Sequence, residues 1–378
     1  MRLPATFALA FAAGSTAGCG LPAAPPGVTT QSMTSQVLVD RGMLIKNQHH
    51  RTYKDLRIFT SAGDCVTIAG SSDITIEESE IGPCGGNGVN VGAGSNIRIY
   101  DSYIHPETRS RSCCDHHDGV LIENSTEVTI QGDVIAYGES NVEAPQEVTG
   151  LVVIGNFLLN PRGPYPRGQN VQAWNSRDVR VQGNYTLSSQ DTARYKYPDD
   201  QQDSINFGEG TDFTAVRNYV TGGHSASGCG LIADARADRA RFIRNRVVDS
   251  GECGIGIASG TDQLVDRNEI VNRNPVRGGG NTALYVWNQY AGIACGPVRV
   301  SGNVATEVRR NGTQSGFWNG GGCDPVTLRR NVWNEAARER LTPVRKRLPV
   351  PSIPPQPKRC SIESPYSSQT KWPACGLP

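Results

Sequence analysis

The sequence has few of the features that define helical, membrane-spanning or nucleic-acid-binding proteins. Lys and Arg number 37 against 36 Asp and Glu, so no charge excess attracts phosphate backbones. The chain contains only 3 Met, and strong helix formers are scarce in its middle part. Paired CxxC knuckles are absent, which argues against a structural zinc site. The 43 Gly and 23 Pro, with many Asn, Val and Ile, instead indicate a protein of β-strands and turns.

Residues 1–19 form a predicted targeting segment. The stretch "MRLPATFALAFAAGSTAGC" has one Arg, a short apolar run and small residues up to Cys19, and it is too short to span a bilayer. Its end, "TAGC", resembles a bacterial lipobox with lipidation at Cys19, although Thr16 stands where Leu is usual. An ordinary secretory signal that is cut nearby is the alternative. We therefore expect export, as a lipoprotein of the cell membrane or, because Gly20 is not Asp, the outer membrane; the alternative is a periplasmic or secreted protein.

The cysteine content agrees with export. Ten Cys remain after Cys19, and an even number suits disulfides in an oxidising compartment. Spacing alone does not determine the connectivity, but three pairs are plausible: Cys229 with Cys253, Cys295 with Cys323, and Cys360 with Cys375.

Most of the chain is a repeat. Stretches such as "GVLIENSTEVTIQGDVI", "SINFGEGTDFTAVRNYV" and "GIGIASGTDQLVDRNEIV" each contain a short alternating strand, a turn, a second strand and a Gly-Asn or Arg-Asn step. A unit of roughly 22 to 24 residues with insertions explains the spacing of these steps, and such a period indicates a solenoid. We expect the recurrent Asn side chains to form a hydrogen-bonded ladder from coil to coil: Asn156, Asn184, Asn218, Asn245, Asn268, Asn303 and Asn331.

Over about residues 40–335 the pattern resembles the right-handed parallel β-helix of the pectate-lyase type. This resemblance implies an all-β fold: a single solenoid with inserted loops on one side and a disulfide-bearing C-terminal tail. The predicted organisation is a tether at 20–36, the parallel β-helix at 37–336, and a Pro-rich C-terminal cap or tail at 337–378 that covers the final coil.

Three long insertions, 105–117, 160–168 and 188–202, enter just before the first strand of a coil. We expect them to stack into one wall, because insertions in a solenoid protrude from otherwise similar coils. Guanidinium groups bind carboxylates and aromatic rings stack on sugars, so the wall suits an acidic polysaccharide. Its cationic and aromatic members are Arg109, Arg111, His116, His117, Arg162, Tyr165, Arg167, Arg194, Tyr195, Lys196 and Tyr197.

Alternate residues of a strand point to opposite faces, and this alternation predicts which residues form the floor beneath the wall. The predicted core column is Val89, Val120, Val142, Val171, Ile205, Leu231 and Ile255. The next residue of each strand points outward, and this column is polar in its middle: Asn90, Leu121, Glu143, Gln172, Asn206, Ile232 and Gly256. The column two residues before the core is Asn87, Asp118, Ser140, Gln169, Asp203, Cys229 and Cys253.

Lyases and epimerases of uronic-acid polymers are common on the fold that the chain resembles. The first interpretation is therefore an exported polysaccharide lyase that acts by β-elimination, with an acidic polysaccharide as partner and no nucleic acid. β-Elimination needs a base that removes a proton and a group that neutralises the uronate carboxylate. The predicted catalytic residues are His117, Lys196, Asp203 and His224; the predicted substrate-binding residues are Glu143, Arg167, Gln172, Tyr195 and Asn206.

Two alternatives remain at this stage. One is a glycoside hydrolase on the same fold, in which Asp199 or Asp200 acts with Asp203; Asp118 lies three coils from Asp203, too far for a catalytic pair. The other is a non-catalytic carbohydrate-binding or surface protein. No cofactor is certain, but Ca²⁺ bound through Asp118 and Asp203 is possible, and we expect a monomer.

Overall fold

The computed structural model describes residues 37–106, 117–163, 167–188, 202–223 and 225–345. These residues form a right-handed parallel β-helix of about ten coils. The predicted fold class, a single all-β solenoid, is confirmed. No helix in the described ranges is long and apolar enough to cross a membrane.

Each coil contributes up to three strands. The first strands are β2 (Met43–Lys46), β5 (Val66–Ala69), β8 (Val89–Gly92), β11 (Val120–Glu123), β14 (Val142–Gln146), β17 (Val171–Gln182), β19 (Ile205–Val216), β21 (Cys229–Ala233), β25 (Cys253–Ile257), β28 (Thr282–Trp287) and β31 (Trp318–Gly321). The second strands are β3 (His49–Lys54), β6 (Ser72–Glu77), β9 (Ser95–Tyr100), β12 (Thr126–Gln131), β15 (Val152–Ile154), β22 (Ala237–Asp238), β23 (Arg241–Ile243), β26 (Gln263–Asp266), β29 (Val298–Ser301) and β32 (Val326–Arg329), and the long strands β17 and β19 continue through this position. The third strands are β1 (Val37–Val39), β4 (Leu56–Ile58), β7 (Glu80–Ile81), β10 (Tyr103–Ile104), β13 (Val134–Ala136), β16 (Phe157–Leu159), β18 (Tyr185–Ser188), β20 (Tyr219–Gly222), β24 (Arg246–Val248), β27 (Glu269–Asn272), β30 (Val304–Glu307) and β33 (Val332–Trp333).

Strands of the same kind pair in parallel with those of the next coil. The third strands make a sheet of 12, and the first and second strands make one of 21. The pairings Val89–Val120, Val120–Val142 and Val142–Val171 continue to Ile205, Leu231 and Ile255. The predicted core column is therefore correct in every coil.

The interior is a stack of β-branched and aromatic side chains. Alternate residues of each strand point inward, and the Ile and Val residues of the core are fully buried. Near the middle, Phe207 stacks on Phe213 and Phe242, with ring centroids 4.9 and 5.8 Å apart. Because one coil cannot bury its own apolar face, this coil-to-coil burial, at about 25 cal/mol per Å², stabilises the array.

The predicted Asn ladder is present. The Nδ2 and the backbone N–H of Asn184 both donate to Oδ1 of Asn218, at 3.0 Å, and Asn218 makes the same pair of bonds to Asn245. The Nδ2 of each Asn also donates to a backbone carbonyl, which is Val153 for Asn184. The ladder thus satisfies buried backbone groups at the turn before each third strand.

Three disulfides lie in the described residues. Two are predicted pairs, Cys229–Cys253 and Cys295–Cys323, and the third is Cys65–Cys84. The predicted Cys360–Cys375 pair and the lipidation residue Cys19 lie outside the described residues.

The C-terminal cap begins differently from the expectation. An α-helix, α1 (Asn334–Arg345), follows the last strand, where the sequence pattern predicted the end of the β-helix and a Pro-rich cap or tail. Leu341 of α1 is buried with Val248 and Val271, which are residues of the third-strand sheet. The described part of the cap therefore packs against the outer face of this sheet, because Val248 and Val271 leave an apolar strip there that the helix covers.

Candidate active site

The outward column of the first strands forms the floor of the candidate site. Backbone pairing aligns its members as predicted: Asn90, Leu121, Glu143, Gln172, Asn206, Ile232 and Gly256, followed by Tyr285 and Trp318. Glu143, Gln172 and Asn206 point away from the apolar core, yet each is at most 5% exposed. Polar groups that are buried at such a position need partners, and two clusters supply them.

The first cluster centres on Glu143. Nη1 of Arg167 lies 3.5 Å from Oε1 of Glu143 and donates to Oε1 of Gln172 at 2.9 Å. Burial raises the pKa of Glu143 to about 7, and the positive charge of Arg167 opposes the rise. A side-chain hydrogen bond from Ser140 also opposes the rise. The three residues predicted to bind substrate here, Glu143, Arg167 and Gln172, are thus in direct contact.

Asp118 lies beside this cluster in the preceding coil. Its Oδ1 accepts the backbone N–H of Ser140 at 2.8 Å, and its own N–H donates to Asn87. Burial, and then the charge of Glu143, raise the pKa of Asp118 well above its usual range. The adjacent His117 is half-buried, and its carbonyl accepts the N–H of Glu139. Asp118 therefore acts as a structural acceptor between coils, and the catalytic role of His117 stays a prediction.

The second cluster joins two carboxyl groups through one amide. Nδ2 of Asn206 donates to Oδ2 of Asp203 at 2.9 Å and to Oδ2 of Asp234 at 3.3 Å. Because both oxygens touch the same nitrogen, they are no more than about 6 Å apart. This upper limit includes the roughly 5–5.5 Å that separates the two carboxyl groups of retaining glycosidases.

The two carboxyl groups differ in environment. Asp203 is 1% exposed, and burial raises its pKa to about 7; the charge of Asp234 adds to the rise, while the N–H of Cys229 and the Asn206 amide oppose it. Asp234 is partly exposed, and its Oδ1 accepts the hydroxyl of Tyr290 and the N–H of Ala235. Burial therefore favours the protonated form of Asp203, whereas Asp234 is more open and accepts hydrogen bonds from three donors.

Tyr285 closes the floor beside this pair. Its hydroxyl accepts Nε2 of Gln289 at 2.8 Å. Burial raises its pKa well above 10, and the nearby charges of Asp203, Asp234 and Glu252 add to the rise. Burial and the neighbouring charges therefore favour the neutral phenol form of Tyr285.

Exposed aromatic rings continue the face beyond Tyr285. Trp287 and Trp318 are 41% and 42% exposed, and their ring centroids are 5.6 Å apart. A Cβ on Gly320 would come within 2.5 Å of the Trp287 side chain, so glycine is needed for this close approach. We call Tyr285, Trp287 and Trp318 the aromatic platform.

A further tryptophan lies on the opposite side of the acid pair. Trp174 is in β17, two coils before Asp234, and its ring covers Gly208 so closely that a Cβ there would clash at 2.2 Å. At about 4.8 Å per coil, Trp174 and the near edge of the aromatic platform each lie roughly 10 Å from Asp234 along the solenoid. Sugar-sized stacking surfaces therefore flank the acid pair on both sides.

Several predicted site residues lie outside the described residues: Lys196, Tyr195, His224, Asp199 and Asp200. Most of the predicted loop wall does too, although Arg162 is described and its guanidinium lies 5.3 Å above the ring of Tyr137.

No group of three or more His, Cys, Asp or Glu side chains in the described ranges is arranged to hold a metal ion. The strand register also separates Asp118 from Asp203 by three coils, or roughly 14 Å. A calcium ion that both carboxyls bind is therefore not supported.

The most important omission of the sequence reasoning is Asp234. It follows Ile232 by two residues, so the period of two that identified the floor would also have placed it outward. Tyr290 had no such signal, because its contact with Asp234 joins residues 56 positions apart through a loop.

No protein-family model matches the sequence, and neither does any curated protein. Among solved structures, DFA-IIIase from Arthrobacter chlorophenolicus A6, in complex with GF2, matches with 14% identity and a TM-score of 0.51, over 80% of this chain and 83% of that chain. The Dettilon tailspike protein matches with 14% identity and a TM-score of 0.52, over 80% of this chain and 60% of its own. At this identity the similarity shows a shared fold, the parallel β-helix.

Proposed function

We propose that this protein is an enzyme that cleaves glycosidic bonds in a polysaccharide by acid–base catalysis at Asp203 and Asp234. The observation that carries the proposal is the shared Asn206 amide, which holds the two carboxyl groups close while burial raises the pKa of Asp203 to about 7. Fold does not define function, so the proposal rests on these residues. Its class agrees with DFA-IIIase, an enzyme that was crystallised with GF2.

In the proposed reaction, protonated Asp203 gives its proton to the glycosidic oxygen as the bond to the anomeric carbon breaks. The carboxylate of Asp234 attacks that carbon and forms a covalent glycosyl intermediate. The separation of no more than about 6 Å favours this retaining course, because inverting enzymes need a wider gap for water. Water then hydrolyses the intermediate and passes its proton to Asp203, which restores both groups.

The substrate is proposed to lie along the stacking direction of the coils. Trp174 lies on one side of the acid pair and the aromatic platform on the other, and ring faces stack on the apolar faces of sugars. This arrangement fits several consecutive sugar units rather than a single monosaccharide.

Hydrolysis is preferred to β-elimination for two reasons. The shared Asn206 amide pairs two carboxyl groups, which glycoside hydrolysis requires. The floor also carries the carboxyl groups of Glu143, Asp203 and Asp234, which would repel a uronate wherever they are ionised. A lyase acting on an acidic polymer therefore stands as the second candidate, and it depends on cations of the loop wall.

We also propose that the protein is exported. Three disulfides in the described residues suit an oxidising compartment. Lipidation at Cys19 and a monomeric state remain predictions.

The test uses the purified protein and a panel of neutral and uronic-acid polysaccharides. New reducing ends and the ultraviolet absorbance of unsaturated uronates are measured on the same samples. We expect new reducing ends without the absorbance. Absorbance together with reducing ends would replace hydrolysis by β-elimination, and binding without either product would indicate a carbohydrate-binding protein.

A further inference from the structure

One turn position has a positive φ in every coil; it lies directly before each ladder Asn and, in the earlier coils, directly before Leu56, Ser79, Ser102 and Asp133. Only glycine occupies this left-handed region freely, and Asn and Asp tolerate it; other residues have a penalty of about 1–2 kcal/mol. The occupants, with φ between 49° and 72°, are Asp55, Glu78, Asp101, Gly132, Gly155, Gly183, Arg217, Arg244, Arg267, Gly302 and Arg330. Arginine therefore occupies an unfavourable backbone position in three consecutive coils.

These three arginines line a cleft. It has a volume of about 390 Å³, and its walls are Arg180, Gln182, Val216, Arg217, Ile243, Arg244 and Arg267. Arg180 and the three turn arginines are all exposed, so burial of their aliphatic stems does not explain why arginine occupies the turn position. Nε of Arg180 donates to Gln182 at 2.6 Å, and Nε of Arg267 lies 2.5 Å from Asp266.

Arg217 and Arg244 differ from the arginines around them. Within the described residues, neither guanidinium forms a hydrogen bond or an ion pair. By contrast, Arg239 forms two hydrogen bonds to the carboxylate of Asp212, at 2.7 and 2.6 Å. The cleft is thus a local excess of positive charge in a chain whose net charge is only +1.

We propose that this cleft binds an acidic polysaccharide through its carboxylate groups. Guanidiniums bind carboxylates in a forked geometry, and Arg217, Arg244 and Arg267 recur once per coil, about 4.8 Å apart. Val216 and Ile243 add apolar surface for the sugar rings between the charges. A linear polymer with regular negative charges fits this concave, axial row better than a flat membrane does.

The cleft lies at the end of the second strands, while Asp203 lies two residues before β19 and Asp234 directly after β21. Binding at the cleft is therefore separate from cleavage, and it would attach the protein to an acidic polymer whatever substrate the acid pair takes.

The test compares two glycine variants of the full chain. Arg217→Gly/Arg244→Gly/Arg267→Gly removes the row, and Arg330→Gly makes the same change in the same turn column outside the cleft. Glycine favours positive φ, so both variants are expected to melt at or above the wild-type temperature, and lost binding does not reflect unfolding. Affinity is measured with sodium polygalacturonate, in an Asp203→Asn background that slows turnover.

We expect the triple variant to bind polygalacturonate at least tenfold more weakly and Arg330→Gly to bind within twofold of the parent. Binding should weaken as salt rises, because the contacts are exposed charges. Equal affinity of the triple variant and the parent would overturn the proposal. So would retention on vesicles of anionic phospholipid without any binding to polygalacturonate, since the row would then be a membrane contact.

Discussion

Asp203 and Asp234 share one amide donor but differ in their surroundings, and this difference is the basis of the separate roles that we propose for them. Asp203 is buried, and burial raises its pKa to about 7. Asp234 accepts hydrogen bonds from the hydroxyl of Tyr290 and the backbone N–H of Ala235. The same principle applies to Glu143, whose carboxyl is buried beside a single guanidinium. At the residue scale, the candidate site therefore contains two acids, Asp203 and Glu143, whose pKa values lie near neutral pH.

Glu143 gives a prediction about stability. Its folded pKa, about 7, lies above the ordinary 4.5, so its contribution to stability is full below about pH 4.5 and is lost as pH rises through 7. We expect Glu143→Gln to be more stable than the wild type at pH 8, by roughly 1–3 kcal/mol in the free energy of unfolding, and to match it at pH 4. Thermal melts at both pH values measure this.

The control is Glu127→Gln, an exposed carboxyl on the second strands, which should change neither melt. A Glu143→Gln protein that is less stable at pH 8 would show that the pairing with Arg167 outweighs the cost of burial.

The sequence predicted part of the site because the strand period orders side chains within one coil. Glu143, Gln172, Asn206 and Asp203 were found in this way. Asp234 and its partner Tyr290 were missed, since their proximity depends on how a loop after β28 returns to β21, and no local pattern encodes that return.

At the element scale, the ladder at the turns has one irregular member. Asp133 is fully buried in the column that Asn156 continues; its Oδ1 accepts the N–H of Ser102 at 2.7 Å. Its Oδ2 has no hydrogen-bond partner among the described residues, whereas Nδ2 of Asn156 donates to the carbonyl of Ile130. Burial raises the pKa of Asp133 well above its usual range.

Asp133→Asn should complete the ladder. The new amide N–H would stand where Oδ2 is, so we expect a gain of about 1–3 kcal/mol at pH 8. The gain should shrink at pH 4, where the protonated carboxyl of the wild type donates at the same place. Urea unfolding at both pH values measures it, with exposed Asp178→Asn as the control. A loss of stability at pH 8 would contradict this account of the ladder.

Most elements were predictable, because a repeating coil presents the same alternation many times. The Asn steps predicted the ladder, and the alignment of Val89 with Val120 predicted the strand register. The helix α1 was not predicted, since it follows the last repeat and forms against an apolar strip that only the assembled third-strand sheet creates.

At the scale of the whole molecule, the aromatic platform and Trp174 indicate the direction of the substrate. Trp287→Ala should raise KM for a long polysaccharide about tenfold, which corresponds to about 1.4 kcal/mol of lost stacking. It should leave kcat and the melting temperature nearly unchanged, because the ring is 41% exposed.

The matched control is Leu328→Ala, an equally exposed apolar residue of β32. Steady-state kinetics with long and short substrates of one sugar provide the measurement. An equal effect of both variants, or a loss of kcat alone for Trp287→Ala, would rule out a binding role for the platform.

The central claim is most directly tested by the rate of reducing-end release by the wild type, Asp203→Asn and the control Asp178→Asn as a function of pH. We predict that the wild-type rate falls above about pH 7, as Asp203 loses its proton. Asp203→Asn should be slower by about 10²–10⁴-fold and lose this decline, while Asp178→Asn keeps the wild-type profile. Wild-type activity in Asp203→Asn, or a rate that rises through pH 7, would contradict the claim that Asp203 is the catalytic acid.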